Sequence, residues 1–325
     1  MSGKTKKFGL LALFVLAIVF PQVIANDYIK HVVIIALIYS ILASSLNLVS
    51  GYTGLLSLGN QAFYGIGGYT SALLMMRLGF PFLASLLCAG LFSMLCAWFI
   101  GKVTFRLRSA FFAISTIAFA KILELVCINW TSLTQGPMGL TKIPPPSILG
   151  YEFDSINSKY YLILALAAIC IFIAYRIIHS HIGRVFKCVA DSEYVCKATG
   201  ANVNRYLMIA VMAGGFMAGI AGSFYAHYSM IISPDMFYFQ ISINTVVMLI
   251  AGGLGTFAGP IVGAFIFTVL PEVMRFSQEY SYVFYGVILV LVVMFLPGGV
   301  VSLFSKNRPS NSLERLLKRK EKSNV

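Results

Sequence analysis

An all-α polytopic membrane protein, with about ten transmembrane helices, is the fold class this sequence predicts, on three grounds. The chain is 59% apolar and only 11% charged, with a mean hydropathy of +0.86. Its apolar residues come in continuous runs of about 20, the length that crosses a hydrocarbon core of roughly 30 Å. Its basic residues gather beside those runs. An outer-membrane barrel would show short alternating segments instead, and a soluble domain would carry far more charge.

The position of the charges orients the spans. The net charge of +13 comes largely from four clusters: Lys4, Lys6 and Lys7; Lys102, Arg106 and Arg108; Arg176, Arg184, Lys187, Lys197 and Arg205; and Lys306, Arg308, Arg315, Lys318, Arg319, Lys320 and Lys322. Basic clusters beside apolar spans mark the cytoplasmic side, so this charge argues for membrane orientation and against nucleic acid as a partner. Apolar spans fall near 8–26, 30–50, 54–76, 82–101, 109–129, 160–178, 206–229, 240–257, 259–276 and 281–304. Starting inside, that order returns every basic cluster to the cytoplasm and leaves both termini there. The first span is read as retained. Val23-Ile24-Ala25 also resembles a signal-peptide cleavage site, and its removal would leave the parity of the other spans unchanged.

This gives a transmembrane domain over 1–304, an external loop over 130–159, a cytoplasmic loop over 179–206 and a basic cytoplasmic tail over 305–325. Glu152, Asp154 and the run Pro144 to Pro146 make the external loop polar and stiff, suited to docking. In the tail, Asn311 and Glu314 fit a capping box, and Leu313, Leu316 and Leu317 form one apolar face, so the tail reads as an amphipathic helix on anionic lipid.

Glycine interrupts the apolar pattern in two places, 46–70 and 249–264, which share L-x-x-G-x-x-G as Leu48/Gly51/Gly54 and Leu249/Gly252/Gly255. In transporters built from repeats, paired Gly-interrupted segments point to the solute pathway, because irregular backbone at membrane depth is tolerated only inside protein or along a wet cavity. Asn47, Ser57, Asn60 and Gln61 add polar groups that packing does not require, so these residues with Gly51, Gly54, Gly252 and Gly255 are the pathway candidates. Gly215-x-x-x-Gly219 and Gly259-x-x-x-Gly263 read as close helix packing.

Other candidates carry less chemistry. Lys121 with Glu124 and Glu272 with Arg275 lie three residues apart and read as structural pairs rather than proton relays; His227 and Asp235 are placed at the outer face. Cys88, Cys96, Cys127 and Cys170 lie in apolar runs and pack there, while Cys188 and Cys196 fall in a cytoplasmic loop where a disulfide is not expected. No metal site and no catalytic residues are assigned. The chain lacks G-x-x-x-x-G-K-[ST], HExxH and GxSxG, so it is read as binding no ATP and catalysing no reaction itself.

The cytoplasmic loop 179–206 predicts a two-turn amphipathic helix over 192–199. Asp191 or Ser192 can cap it, Glu193 and Lys197 suit its first and last turns, and Gly200 can take the left-handed stop. Such an element is suited to passing a push from a partner.

The run Gly183 to Tyr206, "GRVFKCVADSEYVCKATGANVNRY", resembles the cytoplasmic loop of the M-type permeases of branched-chain amino acid ABC importers. "LNLVSGYTGLLSLG", "NWTSLTQGPMGL", "GSFYAHY", "ISPDMFYFQISI" and "GGLGTFAGPIVGA" are similar to further blocks of that family in order, so the resemblance covers about 40 to 304. It departs at Val195-Cys196, where the family usually has two alanines. The resemblance implies a bacterial inner-membrane importer. It also implies a second, H-type permease, two cytosolic ATP-binding subunits that hold the ATP, and an extracytoplasmic solute-binding protein. Gly183, Arg184, Asp191, Glu193, Ala198, Gly200 and Asn202 would then form the ATPase-coupling set. Relatives that carry urea or short amides, and an ion-coupled secondary transporter, are the alternative readings.

The topology makes a direct prediction. A single cysteine placed at position 155 of a Cys-less chain should react with an impermeant maleimide only from outside; labelling only from the cytoplasm would reject the ten-span order.

Overall fold

The computed structural model describes residues 17–24, 26–105, 109–148, 151–273 and 298–303, with Gly286, Met294 and Leu296 between the last two stretches. The expected span 281–304 lies mostly outside these residues, as do the basic tail and Arg275. The described residues are mostly helical, as membrane depth demands: inside a bilayer only intrahelical hydrogen bonds satisfy the backbone without a sheet closed on itself.

Helix α1 covers 17–23 and α2 covers Asp27–Leu46. Asn26 caps α2, its side chain accepting from the Tyr28 N–H at 2.9 Å. Then follow α3 (Asn60–Leu78), α4 (Phe82–Thr104), α5 (Ser109–Asn129) and the single turn α6 (Thr131–Thr134). Helix α7 (Ile156–Ile178) starts at Ser155, whose hydroxyl accepts from the Ser158 N–H. The remainder comprises α8 (His181–Asp191), α9 (Glu193–Ala198), α10 (Val203–Ser229), α11 (Phe239–Gly253) and α12 (Gly259–Val273). Pro271 stands inside the last turn of α12.

Among the described residues five segments are long and apolar enough to cross a membrane: Asp27–Gly51, Phe82–Thr104, Phe111–Asn129, Ile156–Ile178 and Val203–Ser229. Of the ten expected spans, 8–26 and 281–304 lie largely outside the described residues, and three more fall short of that test for physical reasons. Helix α3 is long but carries Asn60, Gln61 and several glycines, while α11 and α12 are apolar but have only 15 residues each. Helices α2 and α10 form the centre, with 83% and 72% of their apolar windows buried; α4, α5 and α7 are peripheral at 39%, 33% and 39%. The peripheral helices show Leu91, Phe92, Leu95, Phe111, Ile114, Ile122, Ile169 and Phe172 outward, as helices facing lipid or another subunit do.

Connections gather at two ends. The loop end holds the start of α2, the α3–α4 turn, residues 130–159 and the stretch after α10. There β1 (Leu140–Thr141) pairs antiparallel with β4 (Ile231–Ile232), β2 (Ser147–Ile148) pairs with β3 (Tyr151–Glu152), and Arg77 donates to the carbonyls of Ser132 and Leu133. The break end holds the two Gly-rich interruptions, the α4–α5 connection and α8–α9. Phe105 stacks on Phe112 there, and Tyr175 meets Phe257 edge to face. This grouping is the one expected if successive helices run back and forth across one layer.

Lipid tails are as apolar as leucine, so close packing and hydrogen bonds hold such helices together. Helix α10 packs most extensively against α4 and α3. At the α4 crossing, a Cβ on Gly215 would press on Ala97, and one on Gly219 would overlap the Ser93 side chain, which donates to the Phe63 carbonyl at 3.1 Å. At the α3 crossing, a Cβ on Gly222 would overlap the Tyr64 carbonyl, and one on Gly67 would overlap Gly219. Gly259 and Gly263 play the same part between α11 and α12, against the carbonyls of Gly253 and Met248. Both small-residue motifs are therefore packing motifs, as the sequence suggested.

The α3–α10 crossing sets an expectation. Gly222→Val should cost about 1–3 kcal/mol by overpacking and lower the melting temperature of the purified protein. Gly286→Ala, where nothing among the described residues lies within 4 Å, should not lower it. Equal melting of the two variants would count against this crossing.

Candidate functional site

The first Gly-rich interruption begins as a defect in helix winding. Residues Asn47–Gly51 form a π turn closed by the Tyr52 N–H on the Asn47 carbonyl, and 54–59 then runs without helical structure until α3 starts at Asn60. The freed backbone groups find partners inside the protein. Ser57 N–H donates to the Ser50 hydroxyl at 3.1 Å, and Leu58 N–H to the Thr116 hydroxyl of α5 at 3.2 Å. Asn60 Nδ2 reaches back to α2, donating to the Leu42 carbonyl and the Ser45 hydroxyl, both at 3.0 Å.

The second interruption lies between α11 and α12. Gly253 and Gly255 adopt φ of +131° and +71°, which glycine reaches without the clash a Cβ brings. Thr256 then caps α12, its hydroxyl accepting from the Gly259 N–H at 3.1 Å and donating to the Gly253 carbonyl at 2.7 Å.

A single side chain joins the two breaks. Asn47, 2% exposed, donates from Nδ2 to the Thr256 carbonyl at 2.8 Å and accepts at Oδ1 from the Gly255 N–H at 3.0 Å. The amide thereby matches one donor and one acceptor of the other break with its own acceptor and donor. Gly51 is the counterpart that permits the approach. A Cβ there would overlap the Asn47 amide and come within 2.8 Å of the Gly255 nitrogen. The shared L-x-x-G-x-x-G pattern thus marks two segments that touch.

The pathway candidates separate by role. Asn47 and Asn60 spend their amides on backbone, Ser57 is 5% exposed, and Gly252 is pressed between the Gly259 carbonyl and the Gly263 nitrogen. Gln61 is 1% exposed and its Oε1 has no hydrogen-bond partner among the described residues. Gly54 stands at φ +74° beside Ala190 of α8.

Below the first break lies a helix pair of which the sequence reading found only the second member. In α8, Gly183, Phe186 and Val189 are buried at three-residue spacing, while His181, Arg184 and Lys187 face out. Ser180 caps it by accepting from the Ile182 N–H at 3.1 Å. The predicted 192–199 helix is α9, Glu193–Ala198, and differs in its start: Asp191 ends α8, and the Ser192 side chain makes no capping bond. Gly200 has φ +80°, the expected left-handed stop, and the Asn202 side chain caps α10 by accepting from the Arg205 N–H at 3.2 Å. Glu193 and Lys197 pair at 2.6 Å, both about half exposed, so the pair adds little stability. Arg184, Asp191 and Ala198 are exposed, Gly183 buried.

Tyr194 and Val195 are 74% and 59% exposed, whereas Cys196 is buried with Val189, Val203 and Leu207. Burial, then the Cys188 thiol beside it, pushes the Cys196 thiol above its ordinary pKa. Leu55 of the first break packs on this same cluster, and Lys187 lies 5.8 Å from the centre of the Tyr52 ring.

The remaining ionisable candidates are accounted for locally. Lys121 pairs with Glu124 at 2.6 Å, and the Tyr28 hydroxyl donates to Glu272. Asp235 accepts from the Ser233 hydroxyl at 2.8 Å. His227, placed at the outer face by sequence, is fully buried: Nε2 meets the Ser71 hydroxyl at 2.8 Å and Nδ1 the Pro144 carbonyl at 2.9 Å, tying the proline run to the helices. Sequence reasoning missed Ser50, Thr116 and Thr256. Thr256 was findable, since a threonine three residues before Gly259-Pro260 is a helix-start signal, but nothing local identifies Thr116, 58 residues from its partner.

Comparison with known proteins supplies a family. The family described as "Branched-chain amino acid transport system / permease component" matches residues 28–293. The LivM permease protein of the high-affinity branched-chain amino acid transport system of Escherichia coli K12 is 30% identical, over 92% of this chain and 75% of its own. The LivH permease protein of the same organism is 25% identical over 81% of this chain and 91% of its own. A probable LivM from Methanocaldococcus jannaschii is 20% identical over 81% and 90%. No solved structure matches the chain.

The amide bridge carries its own expectation. Asn47→Leu keeps the branched shape but leaves a buried N–H and C=O unpaired, at about 1–3 kcal/mol each. Thermal stability should fall, and amide exchange at Gly255 should accelerate; protection equal to wild type at Gly255 would refute the bridge.

Proposed function

Because the chain belongs to the family of branched-chain amino acid transport system permease components, we infer that it is the membrane-spanning permease subunit of an ATP-driven importer of branched-chain amino acids. It is a transport subunit and not an enzyme. The observation that carries this reading is the match over 28–293, which takes in both breaks and the helix pair beneath them. ATP hydrolysis belongs to separate subunits. A second permease of the LivH kind completes the pore, two cytosolic ATPases drive it, and an extracytoplasmic binding protein delivers the solute.

The sidedness follows from charge: the break end, with α8–α9 and its basic residues, faces the cytoplasm of a bacterial cell, and the loop end faces outward. The ten-span order and cytoplasmic termini go with that assignment. The α8–α9 pair is then the coupling element. Tyr194 and Val195 offer an exposed aromatic and aliphatic pair on a short helix, the kind of anchor that dominates protein interfaces. A force on α9 reaches the first break through the Cys196 cluster and Leu55, and crosses to the second through Asn47. In this way ATPase closure moves both interrupted segments together, and the solute pathway runs beside them, with Gln61 the group that has hydrogen-bonding capacity to spare.

The experiment that tests the function is uptake into proteoliposomes holding this chain and the subunits encoded with it. ATP-dependent accumulation of leucine is expected; accumulation of urea without leucine would move the assignment to the amide-carrying relatives. Tyr194→Ala should weaken capture of the ATPase by about tenfold and lower uptake with it, while membrane insertion stays normal. Full ATPase binding by Tyr194→Ala and by Val195→Asp would remove α9 from the interface.

A further inference from the structure

At the loop end, remote from both breaks, α2, α7 and α10 converge on a cavity of about 470 Å3 whose lining includes His31, Ile35, Asp154, Ile156, Lys159 and Tyr228. This is the size of clefts that hold small organic ligands. Lys159, in the first turn of α7, is only 9% exposed. Its ammonium group makes no ion pair and no hydrogen bond among the described residues, and lies 6.0 Å from the centre of the Tyr228 ring. The contrast with Lys30 is direct: that lysine is 5% exposed, on the neighbouring helix, and is paired with Asp27 at 3.1 Å.

A buried cation persists when something neutralises it. Asp154 lines the same cavity from its exposed rim and makes no ion pair with Lys159, so two opposite charges face one space without closing on each other. His31 and Tyr228 form a fixed wall, hydrogen-bonded at 2.6 Å and stacked at 5.6 Å between ring centres. Ile35 and Ile156 supply apolar surface.

The geometry points to a subsite for a free α-amino acid at the loop end: its carboxylate on Lys159, its ammonium on Asp154 and its aliphatic side chain against Ile35 and Ile156. This rests on the transport reading above and adds a station for the solute far from the breaks. A lipid headgroup bearing phosphate and amine shares the charge pattern, and the test separates the two sources.

The complete transporter is placed in nanodiscs of phosphatidylcholine alone, without the binding protein, and titrated with radiolabelled leucine and with isocaproate, which lacks the ammonium group. Lys159→Gln should weaken binding of both by at least about tenfold, the loss of a charge-assisted contact. Asp154→Asn, at the exposed rim, should weaken leucine and leave isocaproate unchanged. Unchanged leucine affinity in both variants, or absence of leucine binding by the wild type, overturns the subsite. So does Lys159-dependent retention of phosphatidylethanolamine in mixed discs that leucine fails to displace. Uptake keeps the two readings apart. If wild type and variants all import and bind leucine equally, transport stands and the subsite falls. If the wild type imports none, the transport reading falls and the binding arm alone decides the subsite.

Discussion

The hydrogen bonds between the Asn47 amide and the backbone of Gly255 and Thr256 are the constraint on which the rest of the architecture depends. Breaking a helix within a membrane exposes donors and acceptors that lipid cannot satisfy. This chain does it twice and sets the breaks against each other, so that a side chain on one completes the other. Gly51 leaves the room, and Gly255 takes a backbone conformation that presents its N–H. Everything nearby follows: the π turn that ends α2, the Ser50 and Thr116 hydroxyls that hold the unwound strand, and the Thr256 cap that starts α12.

The central helices show how a membrane domain coheres without a hydrophobic drive between its parts. Where α10 crosses α3 and α4, glycine and serine bring backbone against backbone, so dispersion and short polar contacts replace the exclusion of water. The outer helices keep large apolar side chains on their free faces, among which Lys121 stands 60% exposed beside a nearly buried Glu124. An ion pair on such a face suits contact with another subunit better than contact with lipid.

Much of this was legible in the sequence because its signals are local. Long apolar runs gave the helices to within a few residues, the glycine pattern gave both breaks, and Gly200 announced the end of α9. Helix α8 was overlooked because it is half polar, with its apolar positions three apart. Span counting also strained where helices are short or polar, since α3, α11 and α12 rely on neighbours for what hydropathy does not supply. The pairing of Asn47 with a segment 208 residues later, and the burial of His227 under the proline run, are products of tertiary packing that no window of sequence contains.

Helices α2 and α12 are fastened at both extremities, by the Asn47 amide at one and by the Tyr28 hydroxyl on Glu272 at the other. Two fastenings so far apart along the packed pair resist the sliding of one helix past the other, so the two are held as one body whose ends stay in register.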